Sequence, residues 1–188
     1  WKVRFSADKT GRWKHISQSD NSRLDGKSGE FTVTEPSEDV PAFYRWGRLE
    51  YTGTAENGIR YLKFRDGPYW LKAGCDDPEN FLGNYKNYDT PAKRISAVDY
   101  LAAKGINSMY IMTHNIDGDD NDVWPWLGDS PSEAKAHGGK DARFDIGKLK
   151  RWRQLFEHMQ KKGVVHKEVL EDDSAWNDYH HTRYYREM

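Results

Sequence analysis

The chain has 188 residues, enough for one or two domains. Its 29 Lys and Arg nearly cancel its 30 Asp and Glu, and no apolar run approaches the thickness of a bilayer, which argues against a nucleic-acid field and against a membrane span. A very polar chain that nevertheless carries 8 Trp, 11 Tyr and 7 Phe suits sugar handling, where aromatic faces stack on pyranose C–H groups and polar groups bind hydroxyls. Core and hairpin packing is the plainer role for any single ring. Cys75 is the only cysteine, so no intrachain disulfide forms, and a buried structural thiol is its expected role.

Trp1, Val3 and Phe5 alternate with Lys2 and Arg4, the pattern of a half-buried strand. Ala7-Asp8-Lys9-Thr10-Gly11 is a turn, followed by a strand over 12–17. A second turn over 25–29 leads to a strand over 30–34, which Pro36 ends. Three short strands with Gly-containing turns read as antiparallel β, too few for a closed sandwich. Residues 36–58 form a connector, although Phe43-Tyr44-Arg45-Trp46 requires a packing surface. Strands over 59–64 and 69–73 flank Arg65-Asp66-Gly67-Pro68, a hairpin signal.

The period then changes. Thr90-Pro91 is a helix start, a hydroxyl cap followed by Pro at the first helical position. Ile95, Val98, Leu101 and Ala102 share a face, and Gly105 ends the helix. A strand covers 108–113. Asp145 caps a second helix with the stripe Ile146, Leu149, Trp152, Phe156 and Met159, and Gly163 ends it. A strand over 164–170 follows. Helices of this length between short strands predict right-handed crossovers and a parallel sheet: an α/β fold that opens either a TIM barrel or a doubly wound sheet. No Gly-rich phosphate loop follows any strand, which weakens the nucleotide-binding version. The chain reads as an interior piece, opening inside a strand at Trp1 and stopping in a helical run at Met188, and the isolated piece is expected to fold poorly.

Functional side chains crowd the segments after each strand. Lys72, Cys75, Asp76, Asp77, Asn80 and Phe81 follow the first. His114, Asn115, Asp117, Asp119, Asp120, Asn121, Asp122, Trp124 and Trp126 follow the second, and Glu171, Asp172, Asp173 and Trp176 the third. A barrel presents its active site at that end. The candidate substrate-binding residues are therefore Lys72, Asp76, Asp77, Asn80, His114, Asn115, Asp119, Asp120, Trp124, Trp126, Glu171 and Asp172. Residues 117–122 could instead hold calcium, but Asp122 and Gly128 occupy the places where an EF-hand loop has Gly and Glu. His114 has no His-Glu-x-x-His partner that would make it a zinc ligand, and His158, His180 and His181 are expected to be solvated.

Several segments resemble a known family. Trp1-Lys2-Val3-Arg4-Phe5, Gly11-Arg12-Trp13, Leu24-Asp25-Gly26 and Gly29-Glu30-Phe31-Thr32-Val33 are similar to the end of the DUF5060 β-sandwich of bacterial glycoside hydrolases. Tyr69-Trp70-Leu71-Lys72-Ala73-Gly74 with Asp77-Pro78-Glu79-Asn80-Phe81-Leu82 resembles their first barrel strand. Asn115-Ile116-Asp117-Gly118-Asp119-Asp120 with Val123-Trp124-Pro125-Trp126 resembles the second strand and loop, and Arg143-Phe144-Asp145-Ile146 through Met159 the next helix. The third strand, Val165-His166-Lys167-Glu168, is more charged than that pattern.

The resemblance implies a partial (β/α)8 TIM barrel, its first three βα units, preceded by the last strands of an antiparallel β-sandwich. The implied divisions are 1–35, end of the sandwich; 36–58, connector; and 59–188, hairpin and barrel. It implies a glycoside hydrolase acting on a polysaccharide or oligosaccharide by a two-carboxylate retaining mechanism. The acid/base and nucleophile glutamates would follow strands four and seven, beyond residue 188, so no catalytic residue is assigned here. Asp77, Asn80, Asn115, Asp119, Asp120 and Trp124 match the family motifs. A carbohydrate substrate, no cofactor, no metal, and a secreted or periplasmic location are implied. A non-catalytic carbohydrate-binding or adhesion protein, or an inactive truncated product, fits the same residues.

Overall fold

The computed structural model describes residues 7, 9–53, 61–75, 81–83, 90–116, 123–138 and 143–169. The chain divides into two compact units, Trp1–Trp70 and Leu71–Met188.

The first unit carries two small antiparallel sheets. Strand β1 (Gly11–Ile16) pairs with β2 (Ser28–Val33) from Gly11↔Val33 to Ile16↔Ser28. Both lie within two residues of the expected strands. Trp13 faces Phe31 across the ladder and the rings stack 6.4 Å apart, a pairing that stabilises a sheet face. The expected strand at Trp1–Phe5 lies outside the described residues. Residues 36–58 carry more structure than a connector: one helical turn, α1 (Ala42–Arg45), and strand β3 (Leu49–Tyr51). β3 pairs with β4 (Leu62–Phe64), and β4 with β5 (Tyr69–Trp70). The expected hairpin forms, with the Phe64 N–H donating to the Pro68 carbonyl at 3.1 Å. Phe64 is buried, and Phe43 and Trp46 pack at 5.3 and 5.6 Å from its ring, which supplies the packing surface those aromatics require.

The second unit is mixed α/β. Helix α2 (Pro91–Ala103) starts where the Thr90 hydroxyl accepts from the Lys93 N–H, and α4 (Ile146–Lys161) where the Asp145 carboxylate accepts from the Lys148 N–H. Such caps are each worth about 1 kcal/mol. The two helices end alike. Gly105 and Gly163 take positive φ, +85° and +73°. Behind them, Ile106 N donates to Leu101 O and Gly105 N to Ala102 O; Val164 N donates to Met159 O and Gly163 N to Gln160 O. These are two Schellman turns, each with an apolar residue leaving the helix. Each turn releases the chain into a strand: β6 (Ser108–Met112) and β7 (Val165–Val169). They pair in parallel from Ser108↔Val165 to Met112↔Val169, as the helix–strand alternation predicts. No closed barrel forms among the described residues.

The core lies between this sheet and α2 and α4. Val98, Met109, Ile111, Trp152, Leu155, Met159 and Val164 are buried together with Phe81 and Leu82. Each such side chain contributes roughly 1.5–3 kcal/mol relative to exposure. The α4 stripe differs from expectation at two places: Ile146 is exposed and Leu155 is buried. Ile146 opens the helix, before the turn that meets the sheet. The charged look of β7 is also accounted for, because His166 stacks on Phe156 at 4.6 Å and the Lys167 ammonium lies over the Tyr110 ring at 5.6 Å. His158 is not simply solvated; its Nε2 meets Asp99 Oδ1 at 2.9 Å, linking α4 to α2. His180 and His181 lie outside the described residues.

Two expectations near the start of this unit are corrected. Cys75 is exposed rather than buried, in a run of exposed residues from Leu71. The expected strand 69–73 is divided, since Tyr69–Trp70 pairs antiparallel with β4 while Leu71–Ala73 meets the chain just before β6. There the Asn107 side chain acts as a clasp, accepting from Ala73 N and donating to Leu71 O, both at 2.8 Å, while Ala73 O accepts from Asn107 N and Ser108 N. A side-chain clasp takes the place of a regular ladder.

Gly74 is where this approach is tightest. A Cβ there would lie 1.8 Å from the Ser108 carbonyl oxygen, which is backbone and cannot rotate away. Gly74→Ala should therefore destabilise the fold by about 1–3 kcal/mol in urea unfolding. Gly29→Ala should cost less, because its Cβ would meet only the side chain of His15. Equal costs would show that the approach at Gly74 is loose.

Candidate functional site

A parallel pair fixes which residues can share a rim. Because the pair is parallel and Met112 lies beside Val169, β6 and β7 finish at the same end. From β6 the chain continues as Thr113-His114-Asn115-Ile116, and all four residues are buried. Asn115 then bridges to Val123, its N–H donating to Val123 O at 2.8 Å and its carbonyl accepting in return at 3.3 Å. This turns the chain back into Val123-Trp124-Pro125-Trp126.

That returning segment is held on its other side by the start of α4. Asp145 N donates to Pro125 O and Leu127 N to Arg143 O, both at 2.9 Å. Helix α3 (Pro131–His137) closes the loop behind it. Its Ser130-Pro131 start repeats the cap-then-Pro signal of α2, with the Ser130 hydroxyl accepting from Glu133 N at 3.4 Å. This helix is not anticipated from the aspartate-rich surroundings.

Trp124 and Trp126 form a second apolar cluster with Ile116, Ala134 and Phe144. Both indoles are packed inside the protein, and neither presents an open face to solvent. The Trp124 N–H donates to Gly128 O at 3.0 Å, and one face of its ring is covered by the Lys148 ammonium, 5.0 Å from the centroid. Trp126 meets His114 edge-on, ring centroids 5.1 Å apart. Trp126 thus covers His114 on one side.

Asn115 is the anomaly of the site. Its side chain is 0% exposed, yet among the described residues neither Oδ1 nor Nδ2 has a hydrogen-bond partner. Leaving buried polar groups unmet costs about 1–3 kcal/mol, and native proteins seldom accept that without a reason. Acidity and aromatic content point to this segment in sequence, but they do not single out Asn115.

The other expected site residues fall elsewhere. Lys72 is exposed and sits beside Ala73, at the Asn107 end of β6. At about 3.3 Å per residue, that is roughly 20 Å along the strand from His114. The structure therefore does not bring Lys72 to His114 and Asn115. Asp76, Asp77, Asn80, Asp119, Asp120, Glu171 and Asp172 lie outside the described residues, as does the whole 117–122 stretch read as a possible calcium loop. Among the described residues, no group of three or more His, Cys, Asp or Glu is placed to hold a metal ion. No described helix is long and apolar enough to cross a membrane.

No family model and no curated protein matches the chain. Among solved structures it is similar to the crystal structure of a putative glycoside hydrolase from Bacteroides vulgatus, with a TM-score of 0.60 over 88% of this chain at 14% sequence identity. This chain spans 31% of that protein's length. The likeness is one of fold.

Lys148 ties the site to α4. Its ammonium donates to Trp126 O at 3.0 Å while lying over Trp124. Burial lowers its pKa below the ordinary lysine value, outweighing the opposite pull of Asp145 and Asp129. Between the lowered folded value and the unfolded one, the unfolded chain binds more protons, so stability rises with pH across that window. The unfolding free energy of the wild type minus that of Lys148→Met should therefore climb as pH rises toward about 10.4 and level off above it. Parallel curves for the two proteins would contradict a buried ammonium.

Proposed function

We propose that this chain is part of a glycoside hydrolase acting on a polysaccharide or oligosaccharide, and that the loops at the shared end of β6 and β7 form part of its substrate cleft. The observation that carries the reading is the pair His114 and Asn115. They are two consecutive polar side chains buried where a parallel strand ends, and the amide of the second is unmet among the described residues. In α/β folds, ligands gather at that end of the sheet, because the loops there are free to vary while the strands stay fixed. The fold-level likeness to a putative glycoside hydrolase supports the same class.

On this reading, residues 59–188 carry the hairpin and open a (β/α)8 barrel, and the first strands are the end of a DUF5060-like sandwich, with the divisions 1–35, 36–58 and 59–188. The reaction uses two carboxylates about 5–5.5 Å apart, one protonating the leaving oxygen and the other attacking the anomeric carbon. Both are supplied by sequence outside these 188 residues, so this chain alone is inactive and its own part is binding. His114 and Asn115, with Asp77, Asn80, Asp119 and Asp120, hold sugar hydroxyls and fix the ring against the reacting carboxylates. Trp126 supports His114 edge-on. No cofactor takes part, and the protein works outside the cytoplasm.

A substitution at Asn115 separates binding from architecture. In the intact protein, Asn115→Leu removes an unmet amide while keeping a similar volume. It should leave stability unchanged or raise it by about 1–3 kcal/mol, yet lower kcat/KM on the responsive member of a plant and algal polysaccharide panel by at least about 10-fold. A variant that is less stable and equally active would assign Asn115 to the architecture and remove the main support for this cleft.

A further inference from the structure

The first unit holds a separate concave site. A cleft of 930 Å³ is lined by Lys9, Arg45, Arg48 and Arg65, against Glu35 and Asp66. Four cationic side chains face two anionic ones. The volume is in the range of ligand pockets, roughly 300–1,000 Å³.

The backbone builds the cationic wall. Asp66 N donates to Trp46 O at 3.0 Å and Arg65 N to Arg48 O at 2.9 Å. Trp46 and Arg48 thus both accept from the opposite segment, and Gly47 between them takes a positive φ of +74°. With Leu49 paired to Phe64, Arg48 and Arg65 then stand side by side. Like charges so placed repel across a ladder. Glu50 offsets part of this, its Oε1 accepting the Nε–H of Arg48 at 2.7 Å and of Arg65 at 3.0 Å. Those bonds hold the Glu50 carboxyl below the ordinary range, the Arg48 bond contributing most, so the carboxylate stays ionised.

One carboxylate thus orients two guanidinium groups through their Nε atoms. Among the described residues the terminal nitrogens of both groups make no hydrogen bond. Two planar donor sets, fixed in direction and carrying more charge than Glu50 neutralises, form a receptor for a carboxylate-sized anion. Tyr44, 49% exposed, lines the same cleft and offers an aromatic face to a sugar ring.

We propose that this cleft binds a carboxylate-bearing saccharide, with Arg48 and Arg65 on a uronate carboxylate and Tyr44 against its ring. That the anion is carried by a sugar rests on the glycosidase reading; the anion site itself does not. All of its lining residues belong to the first unit.

The test is isothermal titration of the intact protein with trigalacturonate, with cellotriose as the neutral counterpart and sodium sulfate as the bare anion. Trigalacturonate should bind at least about 10-fold more tightly than either, and Arg65→Gln should weaken it at least about 10-fold. Arg48→Gln should do the same, and with a side chain 73% exposed it is the variant that keeps the fold if Arg65→Gln does not. Equal binding of cellotriose would overturn the carboxylate, and equal binding of sulfate would overturn the sugar. Unchanged affinity in Arg48→Gln, or no trigalacturonate binding, would overturn the site. Hydrolysis is not read in this titration, so a failure of the glycosidase reading would show separately, as absent turnover.

Discussion

The parallel pairing of β6 with β7 is the constraint on which the second unit depends. Parallel strands need a crossover, and here it contains α3 and α4. What makes the pairing come out in register is the way the helices end. Two Lys-Gly steps give two Schellman turns, and each places its strand a fixed, short distance from the last helical turn. Val164, the apolar residue just past the second turn, brings the chain back onto the core. Val165 N then donates to Asn107 O at 2.8 Å, and the ladder runs on from there. If the Gly105 turn slipped by one residue, β6 would exchange its two faces and Met109 and Ile111 would leave the core.

The same constraint gives the molecule a polarity. At the starting end of β6 the polar groups are matched: Asn107 uses both its oxygen and its nitrogen to hold Leu71–Ala73. At the finishing end the match stops. Asn115 is of the same residue type, eight positions along, and its amide is unmet among the described residues while wholly enclosed. One asparagine serves architecture. The other sits where architecture alone gives no account of it. Buried polar groups that the fold does not satisfy are a common mark of places kept for function at some cost in stability.

The helices of the second unit were the most legible feature in the sequence. Thr90-Pro91, Asp145, Gly105 and Gly163 act through bonds within a few residues, so their meaning survives without knowledge of the fold. Ser130-Pro131 carries the same local signal as Thr90-Pro91 and makes a helix too, but its seven residues are too few to show a helical periodicity in sequence. Pairing was less legible, because it is non-local. Nothing near Tyr69 says that β5 stops at Trp70, or that Leu71–Ala73 is taken by a side chain 36 residues away. Arg94 shows the same limit. It is buried on the inner side of α2, donating to the Gly83 carbonyl, and a hydrophobicity pattern cannot reveal a buried charge that meets a distant backbone carbonyl. In the candidate site, the segment after β6 was visible as a polar, aromatic cluster. That its tryptophans face inward, and that Lys72 belongs to the other end of the strand, depends on the three-dimensional register.

The most direct measurement is a crystal structure of the intact protein with an oligosaccharide that it binds but does not cleave. The account predicts a sugar ring at the finishing end of β6, with a hydroxyl within hydrogen-bond distance of the Asn115 amide. A sugar bound only near Asn107, or an Asn115 amide paired with protein groups whether or not sugar is present, would contradict it.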